Sequence, residues 1–279
     1  MIFMSIEGYG VIGMDEDDLV FDCRIGGRTA GFDVDDKGNV YLADWKRVLK
    51  FNKEGIRTWN YTHPWTGDLH SLELLPNGNL LVAASACERI LEINEKDGIV
   101  WSWWAGDHFT PPIWWDDSVD WRYESKPAKW LHLNTVHQVN DKIMVSMFGK
   151  QPSIGPKIGP YLIVSRENGR IIQHMNPRVV VPHHWLPYKE GYIITGSQKG
   201  RPHGGQIIEL SKEGELGRTI ISGLNRARGL QLLENGHILL TEYHQVREID
   251  EDGVTHQIYT PPDRIMKCPN NHLFESMIL

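Results

Sequence analysis

Cysteine is scarce in this sequence. Its 279 residues hold three, Cys23, Cys87 and Cys268, set far apart. So odd and sparse a set excludes a disulfide framework and a CxxC metal site. It predicts buried free thiols of the kind a reducing cytosol tolerates. Also missing is any apolar run near the roughly 20 residues that a membrane-spanning helix needs. The N-terminal stretch MIFMSIEGYGVIGMDEDDL has no basic segment ahead of an apolar one. No secretory signal is therefore expected, and the predicted location is cytoplasmic, with no membrane partner. Positive charge is in deficit, with 29 Lys and Arg against 36 Asp and Glu and a net charge of -7. That balance argues against a nucleic-acid partner, which a basic footprint would announce. Compact ligand motifs such as HExxH are absent.

Rings are abundant instead. There are 11 Trp and 13 His, and seven of the Trp fall between Trp101 and Trp130. The sequence is also repetitive, and the repeat decides the fold. GFDVDDKGNVYLADW, HSLELLPNGNLLVAAS and RGLQLLENGHILLTEY each read as strand, tight polar turn, strand, with the turns at Gly38, Gly78 and Gly236. Each is followed by a second hairpin: RVLKFNKEGIRTW, RILEINEKDGIVWSW and VREIDEDGVTHQIY. HQVNDKIMVSMF with YLIVSRENGRIIQHM, and WLPYKEGYIITGS with QIIELSKEGELGRTI, are weaker copies. A sixth unit is split. DRIMKCPNNHLFESMIL supplies a C-terminal hairpin and YGVIGMDEDDLVFDCRI the matching N-terminal strands. Joining the two ends in one sheet leaves only short, protected edges. The expectation is all-β, a six-bladed β-propeller closed by pairing N-terminal strands with the C-terminal hairpin. It forms one domain over 1-279 with a Trp-rich loop insertion at about 101-130.

In such a fold the first strand of each blade lines a central channel. Counting eight back from the turn glycine reaches Ala30, His70 and Arg228. In the fourth blade a shorter turn is expected, so the matching residue is His184, seven before Gly191. Matching Val136 to Leu72 sets Asn134 at this level, and Asp263 takes the place in the sixth blade. Residues two apart share a strand face. That adds Arg28, Asp68, His132 and Arg226 to the predicted ring, with Pro182 and Pro261. Histidines converging from three blades, with arginines between them, suit two chemistries. One is group transfer, in which an imidazole attacks a sulfuryl or phosphoryl group while arginines hold its oxygens. It needs no cofactor. The other is a divalent transition metal (Zn, Fe or Cu) on His70, His132 and His184. There Asp68 or Asp263 would orient an imidazole from behind. Trp104 and Trp115, in the insertion, are expected to cover the mouth and favour a small aromatic or apolar substrate. Lys150, Lys157, Arg201 and His203 fall on Gly/Pro-rich loops and read as solvated.

DLHSLELLPNGNLLV, then the Trp-rich stretch, then WLHLNTVHQVNDKIMVS and PHHWLPYKEGYIITGS, resemble the arylsulfotransferase-type propellers. Those show an LPNGN blade, an H-x-N-S-V blade and a later His blade in that order. The resemblance covers about residues 68 to 250. It implies that His132 is a catalytic His, that His184 is the His transiently sulfated, and that His70 is the remaining active-site His. The family's S-S-R element reads Ser146-Met147-Phe148 here, so Arg228 is expected to substitute for its arginine. The resulting expectation is a transferase of a small aromatic or anionic molecule. His184 is its nucleophile, His132, His70 and Arg228 support it, and Asn134, Arg28, Arg226, Trp104 and Trp115 bind the substrate. The alternatives are a His-ligated metalloenzyme of the same fold and a non-catalytic, ligand-binding propeller.

Overall fold

The computed structural model describes residues 1–111, 115–116, 118–123, 130–147, 150–151, 155–156, 159–177, 179–196, 204–266 and 272–278. Among the described residues are six four-stranded antiparallel sheets, one two-stranded ribbon, a four-residue helix and a 3-10 turn. This is the all-β, six-bladed β-propeller that the repeat predicts. The chain divides into two compact units of three sheets each, Ala30–Arg178 and Met1–Thr29 with Val179–Leu279. No helix among the described residues is long and apolar enough to cross a membrane.

One sheet joins the two chain ends. It holds β1 (Ile2–Glu7), β2 (Gly10–Asp15), β3 (Asp18–Arg24) and His272–Ile278, the last strand, β26. Their order is β26-β1-β2-β3. The ends therefore pair as expected, but the described C-terminal residues give one strand where a hairpin is expected. The apolar alternation of IFMSIE supplies the missing strand, and Met4 and Ile6 are fully buried. Asp263, expected on an inner strand, instead opens the short helix α1 (Asp263–Met266) and is exposed.

In the unit Ala30–Arg178 the first sheet is β4 (Thr29–Val34), β5 (Val40–Asp44), β6 (Val48–Phe51) and β7 (Arg57–Tyr61). The second is β8 (Leu69–Leu74), β9 (Leu80–Ala84), β10 (Arg89–Asn94) and β11 (Gly98–Trp104). The third is β12 (Leu133–Val139), β13 (Lys142–Met147), β16 (Tyr161–Ser165) and β17 (Ile171–Met175). The ribbon pairs β14 (Lys150–Gln151) with β15 (Gly155–Pro156). The predicted loop at 101-130 thus begins inside β11, because GIVWSWW keeps a two-residue alternation. Second strands are covered on both faces and read as continuous apolar runs, as in VYLAD and LLVAA. Fourth strands such as RTWNY have one face to solvent and lose that continuity.

In the other unit, β18 (Pro182–Tyr188), β19 (Gly191–Gly196), β20 (Gly205–Leu210) and β21 (Leu216–Leu224) form one sheet. β22 (Leu230–Leu232), β23 (Ile238–Thr241), β24 (Val246–Ile249) and β25 (Thr255–Tyr259) form another.

Side chains stitch inner strands to their neighbours within each unit. Asp33 Oδ2 accepts the Leu74 N–H at 2.7 Å, and Glu73 Oε2 accepts the Gln138 N–H at 2.7 Å. Ser71 Oγ accepts the Val136 N–H at 2.9 Å. In the other unit Gln231 exchanges bonds with Ile278 at 3.1 and 2.8 Å, and Thr195 Oγ1 donates to the Arg228 carbonyl at 3.0 Å. These bonds occupy backbone groups that no sheet ladder reaches.

Candidate functional site

Four inner strands begin with the same backbone device. Ladder partners fix the equivalence: Leu72 faces Val82, Val136 faces Val145, Trp185 faces Ile194 and Leu230 faces Leu240. Four residues earlier stand Asp68, His132, Val181 and Arg226, all left-handed, with φ of 49, 56, 50 and 57°. The next residue, Leu69, Leu133, Pro182 or Ala227, is buried. The residue after that is His70, Asn134, His183 or Arg228. In β8, β12 and β18 the ladder slips there, leaving His70, Asn134 and His183 inside a bulge. Bulges re-aim side chains and recur beside functional sites.

This register corrects the fourth blade. His183, not His184, is the counterpart of His70 and Arg228. The turn between β18 and β19 has only two residues, Lys189 and Glu190, but Gly191 already opens β19 and stands as far past Trp185 as Gly78 stands past Leu72, so the unshortened count of eight is the right one. Lys189 takes φ 52°, as Asn140 takes 56° in the other short turn, whereas Gly78 serves the longer one at 83°. His183 is buried and His184 half-buried. The His184 N–H donates to Thr195 Oγ1 at 2.9 Å.

Within Ala30–Arg178 the device gathers a buried group. His70 Nε2 lies 3.3 Å from Asp68 Oδ1, and their side chains are 5% and 0% exposed. The His132 ring meets His70 edge to face, with centroids 4.5 Å apart. One donor atom from each of Asp68, His70 and His132 lies within 4.8 Å of the others. Asn134, two residues past His132, is also buried. Beneath His132 sits Glu88, whose Oε1 accepts the N–H groups of Trp130, Leu131 and His132 at 3.0, 2.8 and 2.8 Å. Its Oε2 accepts that of Leu133 at 3.2 Å. Burial raises the Glu88 pKa to about 7, and the four N–H bonds oppose that rise.

A tryptophan layer adjoins the group. Trp115 stacks on Trp121 at 4.8 Å, meets the edge of Trp130 at 6.1 Å and lies 6.3 Å from Trp104. The Arg89 guanidinium rests 4.1 Å from the Trp65 ring centre and 5.1 Å from that of Trp104. The layer is tied to both ends of the site. A Cβ on Gly67, beside Asp68, would meet the Trp121 carbonyl oxygen at 2.4 Å, and Trp130 shares the Glu88 carboxylate with His132. An aromatic ligand would find flat rings and one held cation there.

Arg28, Arg226 and Arg228 belong to the other unit. Arg28 Nε lies 3.3 Å from Glu7 Oε1, and the Arg226 guanidinium lies 4.8 Å from the Tyr243 ring centre. Burial pushes the Arg228 pKa down to about 10. Glu7 opposes that shift, while Arg28 and Arg226 add to it.

The structure therefore brings His70, His132 and Asp68 together. It joins Trp104 to Trp115 in the layer beside them. Glu88, Arg89, Trp65, Glu7 and His183 escaped the sequence reading. A lone Glu-Arg pair inside the apolar run ASACERILEI was the available signal for the first two. Lys157, Arg201, His203 and Cys268 lie outside the described residues, as does the side chain of Lys150.

No protein family and no curated protein matches the chain. Solved structures do. One is a protein of unknown function from Bacteroides caccae, with a TM-score of 0.69 and 15% identity, covering 99% of this chain and 97% of that one. The WD40 β-propeller domain of Doa1 gives a TM-score of 0.58 and 14% identity over 93% and 78%. Virginiamycin B lyase from Staphylococcus aureus gives 0.53 and 14% over 87% and 71%. What the chain has in common with all three is the β-propeller fold.

Proposed function

We propose that the protein is an enzyme of arylsulfotransferase-like architecture that moves a sulfuryl group between small aromatic molecules by imidazole catalysis. The observation that carries this reading is the buried contact between Asp68 and His70 with His132 packed against it. A carboxylate beside one ring nitrogen favours the tautomer that carries its proton there and leaves the other nitrogen basic. In the proposed reaction a histidine nitrogen attacks the sulfur of an aryl sulfate. The S–O bond breaks, and a second imidazole gives its proton to the departing phenol oxygen. An acceptor phenol then takes the sulfuryl group from the histidine nitrogen and returns a proton to that second imidazole. Trp104, Trp115 and Arg89 would hold the aryl ring and its negative charge.

The test is release of 4-nitrophenol from 4-nitrophenyl sulfate, with phenol as acceptor and protein dialysed free of metal. Turnover that falls about 10²- to 10⁴-fold in His132→Ala supports the reading. Peptide mapping of a trapped N-sulfohistidine names the nucleophile. Absence of turnover by folded protein overturns sulfuryl transfer.

A second reading is favoured by the donor set itself. Two imidazoles and a carboxylate within 4.8 Å suit a divalent transition metal such as Fe or Zn, with coordination positions left for substrate. Its ligands would be Asp68, His70 and His132. About one equivalent of metal in the purified protein, lost in His132→Ala, favours this reading and sinks the nucleophile.

A further inference from the structure

We propose that His237 and His256 form a metal site, a two-imidazole clip for a divalent transition metal such as zinc or nickel. Both belong to the sheet β22 to β25 or its turns and share no residue with the group at Asp68, His70 and His132. The inference therefore does not depend on how that group is read.

Each ring is already held by a carboxylate. His237 Nδ1 lies 2.7 Å from Glu248 Oε1, and His256 Nε2 lies 2.9 Å from Asp250 Oδ2. An ionised carboxylate only accepts, so each of these nitrogens carries the proton. In the neutral ring the lone pair is left on His237 Nε2 and His256 Nδ1, and among the described residues neither of these has a partner. Metal-binding imidazoles are held in this way, with the far N–H on a carboxylate that fixes the tautomer and raises the basicity of the ligand nitrogen. The two rings lie together, with centroids 4.6 Å apart and planes at 25°.

The internal repeat shows what the fold alone asks of these places. His237 precedes Ile238, which faces Ile249, as Asn79 precedes Leu80, which faces Ile93, and Asn39 precedes Val40, which faces Phe51. Asn79 Nδ2 donates to Glu92 Oε1 at 2.7 Å, and His237 makes the matching bond to Glu248 at the same length. An asparagine thus meets the structural need of the turn. His237 meets it too and adds a nitrogen the turn does not use. Asp250 shows the same surplus. Its counterparts after Ile93 and Phe51 are Asn94 and Asn52, whose Oδ1 atoms accept the Lys96 and Ile56 N–H groups at 2.9 Å each. Asp250 Oδ1 accepts the Val254 N–H at 2.9 Å, and its second oxygen is given to His256. Two departures from the repeat therefore meet at one pair of rings.

His237 leads into β23 and His256 lies in β25, on either side of β24. A metal bonded to both ties the edge strand to the interior of its sheet. His237 is the fixed partner, because Glu248 also accepts Asn235 Nδ2 at 3.2 Å and the Tyr259 hydroxyl at 3.4 Å. Closing on the metal turns the His256 ring out of the stack, which its 45% exposure allows. Two imidazoles leave the remaining coordination positions to water. Imidazole suits zinc, nickel and copper, whereas magnesium and calcium take oxygen ligands.

Titration calorimetry of tag-free protein with zinc and nickel chlorides at neutral pH, with magnesium chloride as control, tests the clip. His237→Asn carries the residue of the other repeats and keeps a donor for Glu248, so it should fold as the wild type does. Wild type should bind about one equivalent more zinc and nickel than His237→Asn or His256→Ala, with no such difference for magnesium. Asp250→Asn should weaken the Kd of that equivalent about tenfold by loosening the hold on His256. Zinc should raise the unfolding midpoint of the wild type more than that of His237→Asn. Equal uptake by wild type, His237→Asn and His256→Ala overturns the proposal. So does an equal loss in His108→Ala, an exposed histidine of the other unit, because the metal would then be held by scattered rings. An equivalent that His132→Ala removes and His237→Asn keeps belongs to the buried group, and that result overturns the clip as well.

Discussion

The two units use one backbone device for opposite electrostatics. In Ala30–Arg178 it displays Asp68 with His70, and His132 with Asn134. In the other unit it displays Arg226 with Arg228. In each case a buried residue between the pair, such as Leu69, Leu133 or Ala227, anchors the strand. Its neighbours are set by the left-handed residue before it and, in β8 and β12, by the slipped register as well. The supports differ as well. Glu88 spends its whole carboxylate on four consecutive N–H groups of the following sheet. Glu242 holds its own sheet: it accepts the Asn225 N–H at 2.7 Å, Gln245 Nε2 at 2.6 Å and Arg247 Nε at 2.5 Å. The fold therefore supplies places for polar side chains, and the choice of residue sets the charge displayed there.

Removing the two acids should break this comparison most visibly. Glu88→Ala strips the acceptor from four N–H groups around His132, at roughly 1–3 kcal/mol for each buried group left unpaired. Relaxation will recover part of that, and a loss of about 4 kcal/mol in urea unfolding is expected. Glu242→Ala leaves one N–H and two side chains that water can reach, since the Arg247 side chain is 28% exposed. About 2 kcal/mol is expected there. Equal losses would show that Glu88 is an ordinary sheet clamp rather than the cradle of His132.

The same carboxylate should give its unit a pH signature. The Glu88 pKa rises from its ordinary 4.5 to about 7 because burial disfavours the charged form. The folded protein therefore binds this proton more tightly than the unfolded chain. Its contribution is most favourable below pH 4.5, declines as pH climbs from 4.5 to 7, and is flat above. At about 1.4 kcal/mol per pH unit, the decline sums to roughly 3 kcal/mol. Asp33 adds a slope of the same sign between 3.8 and about 6, again because of burial. Unfolding free energies of wild type and Glu88→Gln, measured from pH 4.5 to 7.5, isolate the Glu88 part. Gln keeps one carbonyl acceptor and cannot ionise, so the wild-type slope should exceed the variant's across that window. Parallel curves would remove Glu88 as the source.

Most of the fold could be read in advance, because turn glycines and two-residue alternation are local signals. Gly38, Gly78 and Gly236 sit at positive φ as their spacing demands. What misled was counting through irregularity. The short turn at Lys189–Glu190 invites a count of seven and so His184, yet Gly191 is itself the first residue of β19, and the full count of eight reaches His183. Asp263 was assigned to a strand because no local pattern separates a four-residue helix from a strand end. For the site, the spacing from Gly78 found His70, and the HLNTV element found His132. Glu88 was invisible because its bonds run to residues more than 40 positions away, and only tertiary structure brings them together.

Val181 offers the finest test of the shared device. It occupies the left-handed place at φ 50° with a β-branched side chain that carries no polar group. For such a residue this conformation costs about 1–2 kcal/mol. Glycine would remove the strain but widen the unfolded ensemble by roughly 0.5–1 kcal/mol. Val181→Gly should therefore stabilise the protein by about 0.5 kcal/mol in urea unfolding, and Val181→Ala, which keeps a Cβ, should not. If glycine instead lowers stability, as it does at an ordinary strand position, the left-handed place is held by contacts of the side chain. The strain at Asp68, His132 and Arg226 would then no longer mark those positions as kept for function.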